Sequence, residues 1–152
     1  YRLACELSDR IAAIAPVSGP MEMPKCNPSR PVSIMHFHGT QDQYAPFAGG
    51  KGQRSLPGQD FTPVPKTISF WLRALKLKEE PSKILKQGSA VGTFYGPGKD
   101  GSEVVLWTIE GGGHTWPGGK FGVLGKRVLG EMSADISATE LMWEFFQRHP
   151  MK

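Results

Sequence analysis

The sequence has 152 residues, enough for one domain with a buried core, and its hydrophobic share of 39% is ordinary for a globular chain. The net charge of +4 comes from lysines and arginines that are scattered along the chain, which argues against a nucleic-acid-binding protein. No apolar run approaches the roughly 18 residues of a membrane span, so we expect no membrane partner.

The first part of the chain predicts one helix followed by two strands. Residues 1–8 favour a helix, and residues 11–18 form a short apolar run that ends at a Gly-Pro turn, as a buried strand does. Residues 31–38 are mostly apolar, so we expect a second strand that is buried on both faces. A turn that contains Asp42 follows this strand.

The middle of the chain predicts an amphipathic helix. Residues 47–59 are rich in glycine and are expected to be irregular. Thr62 can cap a helix that has Pro63 at its first position and runs to about Leu77. Its apolar stripe consists of Ile68, Trp71, Leu72 and Leu75. Large aromatic side chains dominate core burial, so we expect three tryptophans in the core, namely Trp71, Trp107 and Trp143.

The last third predicts a hairpin and a closing helix. Residues 91–95 and 103–109 favour strands, and the Gly- and Pro-rich residues 96–101 between them are typical of a hairpin connection. Residues 121–135 are expected to be irregular. Residues 137–140 form a capping box, which predicts the start of a helix. The expected buried face of this helix consists of Leu141, Met142, Phe145 and Phe146.

Two residues with acid–base chemistry follow predicted strands. Asp42 follows the strand at 31–38, and His114 lies in the glycine-rich loop at 111–119, after the strand at 103–109. Long apolar strands that alternate with helices predict an α/β fold, with a mainly parallel sheet flanked by helices. The carboxyl ends of parallel strands share one edge of a sheet, so we expect Asp42 and His114 to meet there.

An aspartate beside a histidine indicates proton transfer to and from a nucleophile. The carboxylate holds the ring in one tautomer and stabilises the imidazolium, and an ordinary imidazole titrates near pH 6.5. The nucleophile pattern G-x-S-x-G does not occur in the sequence. If the chain order is serine, aspartate, histidine, we expect the serine upstream of Tyr1 and the sequence to be a fragment.

Four segments, in chain order, resemble motifs of one family. Residues 1–6 resemble the helix directly after the nucleophile serine, and residues 38–42 resemble the acid motif. Residues 111–118 resemble the histidine motif, and residues 137–146 resemble the last helix. Over nearly its whole length the chain is similar to the poly(3-hydroxybutyrate) depolymerase and feruloyl-esterase-like α/β-hydrolases.

This resemblance implies that residues 1–152 are the C-terminal part of an α/β-hydrolase catalytic domain. The enzyme would be a secreted or periplasmic serine esterase without a cofactor, with Asp42 as the triad acid and His114 as the triad base. The first strands, the oxyanion-hole loop and the serine would precede Tyr1. The substrate would be a polyester or a plant-polysaccharide ester, such as a polyhydroxyalkanoate, a feruloyl-polysaccharide or an acetyl-xylan.

Three aromatic residues, Tyr44, Phe47 and Trp116, flank the expected pair in the sequence. They could bind an aryl or polyester chain, or they could pack the loops on the sheet, and the residues leave both interpretations open.

Two other functions fit the same residues. His36 and His38 share one strand face and, with Asp42 and His114, could form the metal site of a metal-dependent hydrolase. In the alternative arrangement His36 packs at the core and His38 supports the turn to Asp42. A non-catalytic fragment or binding subunit is the second possibility, because the sequence lacks the nucleophile pattern.

The two cysteines, Cys5 and Cys26, do not form a C-x-x-C pattern, which argues against a zinc knuckle. A disulfide between them is possible if the protein is exported, and the sequence leaves their pairing open. Members of the resembled family often carry further cysteines that this sequence lacks.

Overall fold

The computed structural model describes residues 1–23, 25–98, 100–120 and 122–151. Its helices are α1 (Arg2–Glu6), α2 (Val64–Ala74), α3 (Val123–Leu129) and α4 (Ala138–Arg148). Its strands are β1 (Ala13–Ile14), β2 (Ser33–Gly39), β3 (Lys83–Gln87), β4 (Ala90–Tyr95) and β5 (Val104–Ile109). None of the helices in the described residues is long and apolar enough to cross a membrane.

The strands form a single mixed sheet in the order β1-β2-β5-β4-β3. β1, β2 and β5 run parallel, whereas β4 is antiparallel to both β5 and β3. The expected parallel part of the sheet consists of β1, β2 and β5, and the sheet as a whole is mixed. The antiparallel pair β4–β5 confirms the hairpin expected between residues 91–95 and 103–109, and short connections of this kind link antiparallel neighbours. The mixed sheet with its flanking helices is consistent with an α/β fold.

Hydrophobic clusters cover both faces of the sheet. On one face, Ile34 of β2 packs with Trp71 of α2, and on the other face Trp107 of β5 packs with Phe145 of α4. All seven residues of β2 are buried, which confirms the expectation of a strand buried on both faces. Each such fully buried large side chain contributes about 1.5–3 kcal/mol, so β2 and β5 form a rigid support for the loops that follow them.

Two elements, β3 and α3, were not predicted, because their apolar residues do not recur with the period of a half-buried strand or helix. β3 is an edge strand in which only Leu85 is half-buried and the other residues are exposed. Its lysines suit an exposed edge, since charge there opposes pairing with other chains. α3 lies in the stretch that was expected to be irregular, and it has no buried residue. Its apolar residues Val123, Leu124 and Val128 are exposed. Gly125 within it disfavours a helix, so the sequence carries only a weak helical signal.

The first strand is shorter than its apolar run predicts. β1 contains two residues, and Val17 adds only an isolated parallel bridge to Phe37 of β2. Pro16 lies between these pairings, and its nitrogen has no hydrogen to donate to a ladder. The run is therefore an edge segment that pairs with β2 at residues 13–14 and again at Val17, with the pairing interrupted between them.

The ends of the two long helices were predicted with different success. α2 begins at Val64, with Pro63 rather than Thr62 in the capping position and no side-chain cap. At α4 the expected cap is confirmed, because the Oγ of Ser137 accepts a hydrogen bond from the N–H of Glu140 at 3.3 Å.

The exposed side of α4 corrects two core predictions. Trp143 is 64% exposed and Phe146 is 40% exposed, whereas Met142 and Phe145 are buried. Successive helical residues are rotated by about 100°, so the residue after each buried one turns away from the sheet. Trp71 and Trp107 are fully buried, as expected.

Cys5 and Cys26 form a disulfide, with 5.0 Å between their Cα atoms. The bond joins the buried side of α1 to the connector that leads to β2. It therefore ties the N-terminal helix to the same side of the sheet as α2.

The parallel pairing of β2 and β5 brings the two loops of interest together. In this register Gly39 lies opposite Ile109, so both strands end at the same level. The N–H of Thr40 donates to the carbonyl of Ile109 at 3.0 Å, and the N–H of Gln41 donates to the carbonyl of Gly112 at 2.9 Å. A Cβ on Gly39 would overlap the backbone of Gly112, so only glycine allows this close approach of the loops.

Candidate active site

Asp42 is a fully buried carboxylate in the turn after β2. Its Oδ1 accepts hydrogen bonds from the backbone N–H groups of Tyr44 and Ala45, both at 2.9 Å. Its Oδ2 lies 2.8 Å from the Nδ1 of His114. Such Asp side-chain bonds to the backbone two and three residues on are typical of turns, and here they fix the orientation of the carboxylate.

The hydrogen bonds decide the ionisation of Asp42. Burial by itself raises the pKa of the carboxyl, but the hydrogen bonds from His114, Ala45 and Tyr44 outweigh it and hold the pKa below its ordinary value. Asp42 is therefore an anion at neutral pH, and it can stabilise positive charge on the neighbouring ring.

His114 is held by its own loop after β5. The N–H of His114 donates to the carbonyl of Leu129 at 2.7 Å, and the N–H of Gly113 donates to the carbonyl of Glu131 at 2.8 Å. A Cβ on Gly113 would overlap the carbonyl of Leu129, so the glycine permits this contact. The loop is thus bound to the residues at and after the end of α3.

The bond to Asp42 sets the tautomer of His114. An ionised carboxylate only accepts hydrogen bonds, so the proton of the neutral ring lies on Nδ1 and the lone pair lies on Nε2. Among the described residues no group hydrogen-bonds to that Nε2, and the side chain is 37% exposed. The ring can therefore accept a proton from a group that approaches from the exposed side.

A cavity of about 420 Å³ lies beside His114. Tyr44 also lines it, and the Tyr44 and His114 rings lie 5.2 Å apart. Leu56 and Phe61 add apolar surface from the glycine-rich segment before α2, and Ser18 adds the end of the β1 segment. These three residues were not predicted from the sequence. The only signal of Leu56 and Phe61 was that they are apolar within an otherwise polar, irregular stretch, and Ser18 had no such signal.

Two of the three expected aromatic residues lie away from the lining of this cavity. Phe47 packs edge-on against His38, with 5.9 Å between ring centroids, and joins the core cluster of α2. Trp116 is 41% exposed, and its Nε1 donates to the Oγ1 of Thr139 at 3.1 Å. Of the expected three, Tyr44 is the residue that the structure brings to His114.

His36 and His38 are buried in β2, with their ring nitrogens engaged. The Nδ1 of His36 bonds to the Tyr1 hydroxyl at 2.9 Å, and its Nε2 bonds to the Nδ1 of His38 at 3.0 Å. The Nε2 of His38 bonds to the carbonyl of Ala45 at 2.7 Å. The described residues contain no group of three or more side chains suited to hold a metal ion. The geometry therefore favours hydrogen bonding over metal binding at these histidines.

Acid is expected to destabilise the protein through these buried histidines. Burial and the neighbouring His38 ring lower the pKa of His36 to about 3, and burial lowers that of His38. In the unfolded chain both titrate near pH 6.5. Between these values the unfolded chain binds more protons, so the free energy of unfolding falls as the pH falls. One such histidine contributes a slope of up to about 1.4 kcal/mol per pH unit.

The variant His36→Leu should remove this contribution from the slope. Urea unfolding of the wild type and the variant, measured at intervals from pH 7 to pH 4.5, gives the free energy of unfolding at each pH. We expect the wild type to lose stability more steeply, by up to about 1.4 kcal/mol per pH unit. Parallel curves would show that His36 protonates within the fold and would contradict its burial as a neutral ring.

Comparison with known proteins finds two similar chains. "Feruloyl esterase B" of Piromyces equi is 34% identical over 125 residues, which cover 78% of this chain and 23% of that protein. "Putative esterase NocK" of Nocardia uniformis subsp. tsuyamanensis is 32% identical over 136 residues, which cover 79% of this chain and 39% of that protein. No protein-family model matches the chain.

The chain spans less than half the length of either curated relative that it matches. Both relatives carry the name of an esterase, and both alignments cover more than three quarters of this chain. An acid–base pair is also what ester hydrolysis requires. Most of this chain is thus similar to one part of each of two proteins named as esterases.

Proposed function

We propose that this chain supplies the acid and the base of a serine esterase that hydrolyses carboxylic ester bonds. The observation that carries the proposal is the 2.8 Å contact between the buried Oδ2 of Asp42 and the Nδ1 of His114. This contact orients the ring and leaves Nε2 as the proton acceptor. Similarity to two proteins named as esterases supports the same reaction class.

In each half of the proposed reaction His114 accepts one proton and then donates it. Its Nε2 takes the proton of a serine hydroxyl while the serine oxygen attacks the ester carbonyl, and the imidazolium then gives that proton to the leaving alcohol. A water molecule repeats the sequence on the acyl-serine and releases the acid. The anionic Asp42 stabilises the imidazolium in each half, and a charge-assisted hydrogen bond of this kind is stronger than a neutral one.

We place the serine and the oxyanion-hole donors outside residues 1–152. No serine of the described residues hydrogen-bonds to His114, and the matched regions are minor parts of both relatives. Residues 1–152 would then be the C-terminal part of an α/β-hydrolase catalytic domain. The parallel strands β2 and β5, with Asp42 and His114 at their carboxyl ends, support that assignment.

A feruloyl ester, or an ester of a related aromatic acid, is the substrate class that we favour, ahead of acetyl-xylan and polyhydroxyalkanoate esters. One relative is named as a feruloyl esterase. The cavity beside His114 offers Tyr44, Leu56 and Phe61 as apolar surface for an aryl group. In this proposal Tyr44 contacts the substrate directly. Phe47 packs against His38 and does not contact the substrate, and Trp116 lies outside the cavity.

We also propose that the protein is secreted or periplasmic. The disulfide between Cys5 and Cys26 supports this location, because disulfides form and persist in oxidising compartments.

The test uses the full-length protein that contains this chain. Hydrolysis of methyl ferulate, acetyl-xylan and poly(3-hydroxybutyrate) is measured before and after treatment with a fluorophosphonate or with EDTA. We expect hydrolysis of methyl ferulate to be the fastest. The fluorophosphonate should abolish it by labelling a serine outside residues 1–152, and EDTA should have no effect.

Each other outcome has a defined meaning. Loss of activity with EDTA and no labelling would support the metal-dependent alternative. Labelling of a serine within residues 1–152 would contradict the placement of the nucleophile. Absence of ester hydrolysis by a folded full-length protein would contradict the proposed function and favour a binding role.

A further inference from the structure

Two buried histidines and a half-buried tyrosine lie behind Asp42 and take no part in the proposed proton transfer. They are Tyr1, His36 and His38, linked in a chain by hydrogen bonds of 2.9 Å and 3.0 Å. His36 is 0% exposed and His38 is 1% exposed. A buried polar network of this kind is costly unless every member is satisfied, so its direction and its end point are informative.

The carbonyl of Ala45, at the end of this hydrogen-bond network, fixes the tautomers of both histidine rings. The carbonyl of Ala45 can only accept a hydrogen bond, so the Nε2 of His38 carries the proton that is donated over 2.7 Å. In a neutral ring the Nδ1 of His38 is then an acceptor, and the Nε2 of His36 must donate to it. By the same reasoning the Nδ1 of His36 accepts from the Tyr1 hydroxyl. The donors therefore all point from Tyr1 towards Ala45.

His38 contacts the turn that holds Asp42 at two points. Its Nε2 donates to the carbonyl of Ala45 and lies 3.5 Å from the Oδ2 of Asp42. The N–H of Ala45 in turn donates to the Oδ1 of Asp42 at 2.9 Å. Ala45 is buried, and it thus links the two side chains: its carbonyl bonds to the imidazole of His38 and its N–H bonds to the carboxylate of Asp42.

We propose that His38 is a positioning residue for Asp42, and that His36 and Tyr1 hold His38 in the tautomer that this role needs. The inference rests on the proposed function of the Asp42–His114 pair. In the described residues His38 is the donor to the Ala45 carbonyl, so its loss leaves a buried acceptor without a partner. The turn would relax to satisfy that carbonyl and would carry the carboxylate away from its 2.8 Å contact with His114.

A structural role makes a different prediction from a positioning role. The rings of His36 and His38 are stacked 5.2 Å apart, and Phe47 packs edge-on against His38. If His38 only filled this space, an apolar side chain and a polar one of similar size would have similar effects on activity, in proportion to their effects on stability. Positioning requires specifically the N–H at the far end of the side chain.

Two variants of the full-length protein separate these roles. His38→Gln places an amide N–H near the position of Nε2, whereas His38→Leu has no donor. We expect kcat to fall about 10- to 100-fold in His38→Leu, with KM nearly unchanged, because a displacement of about 1 Å in a reacting group costs up to about 100-fold. His38→Gln should recover most of this loss. Equal kcat values in the two variants would overturn the proposal.

A spectroscopic test on the wild-type protein does not depend on activity or on the variants folding. With ¹⁵N-labelled histidine, His36 and His38 should both show the Nε2–H tautomer at neutral pH, and the Nδ1–H proton of His114 should resonate at low field. A His38 ring protonated on Nδ1 would overturn the proposal. If the tautomers are as expected but the wild type hydrolyses no ester, the proposed function fails and the arrangement of His38 stands.

If His38→Leu folds, the low-field proton of His114 in its NMR spectrum provides a second test of the position of Asp42. The low-field proton of His114 should shift or disappear in His38→Leu and persist in His38→Gln, because only the former loses the support of the Asp42 turn. An unchanged proton in His38→Leu would show that Asp42 keeps its position without His38 and would likewise overturn the proposal.

Discussion

Replacing His114 with alanine in the full-length protein is expected to lower kcat/KM for ester hydrolysis by about 10⁴- to 10⁶-fold. Without the imidazole neither Tyr44 nor Asp42 can replace it as proton acceptor, because Tyr44 donates its hydroxyl to the carbonyl of Val128 and Asp42 is fully buried. The loss should appear mainly in kcat, since the ring acts on the reacting atoms rather than on the bound substrate.

A second histidine provides the control. His149 bonds to Glu103 at 2.8 Å and to Ser33 at 3.1 Å, at the opposite end of β2 and β5 from His114. The variant His149→Gln removes an imidazole that is remote from the site, so we expect kcat/KM to stay within about threefold of the wild type. If His114→Ala retained activity comparable to that of His149→Gln, the assignment of His114 as the base would be wrong.

Replacing Asp42 with asparagine is expected to lower kcat about 10⁴-fold while the fold is preserved. The two backbone N–H groups, from Tyr44 and Ala45, require a carbonyl oxygen at the Oδ1 position. The new amide nitrogen must therefore face His114, where it donates to Nδ1. The ring then carries its proton on Nε2 and cannot accept one from serine.

The tautomer of His114 checks this explanation directly. In ¹⁵N spectra of the full-length protein, the wild type should show Nδ1–H and Asp42→Asn should show Nε2–H. The variant Asp42→Ala serves as a comparison, because it removes the carboxylate without imposing the wrong tautomer. Asp42→Asn should be no more active than Asp42→Ala. Near-normal turnover in Asp42→Asn, or an unchanged tautomer, would contradict the role given to the carboxylate.

The meeting of Asp42 and His114 could be expected from the sequence because it depends on strong patterns. Two apolar runs predict buried strands, and residues at the carboxyl ends of parallel neighbours share an edge. The antiparallel β3 and β4 did not disturb this expectation, because they lie on the far side of β5 from β2. The antiparallel part of the sheet thus lies apart from the site.

The finer structure of the site depends on contacts that leave no local pattern. The tautomer of His38 is fixed by a carbonyl seven positions away, and the tyrosine hydroxyl that begins the network bonds to His36 from 35 positions away; no periodicity records either contact. The lining by Leu56 and Phe61 depends on how a glycine-rich segment folds back over the turn, and glycine permits many such paths. Tyr44 was distinguishable because it is close to Asp42 in the chain.

The role proposed for the Asp42–His114 pair is tested most directly by the rate at which a fluorophosphonate labels the full-length protein. The label reports the activated serine itself, without substrate binding or product release. We expect rapid labelling of one serine in the wild type and in His149→Gln, and a loss of at least about 10³-fold in the labelling rate in His114→Ala. Equal labelling rates in the wild type and in a folded His114→Ala variant would contradict the proposal that this pair activates the nucleophile.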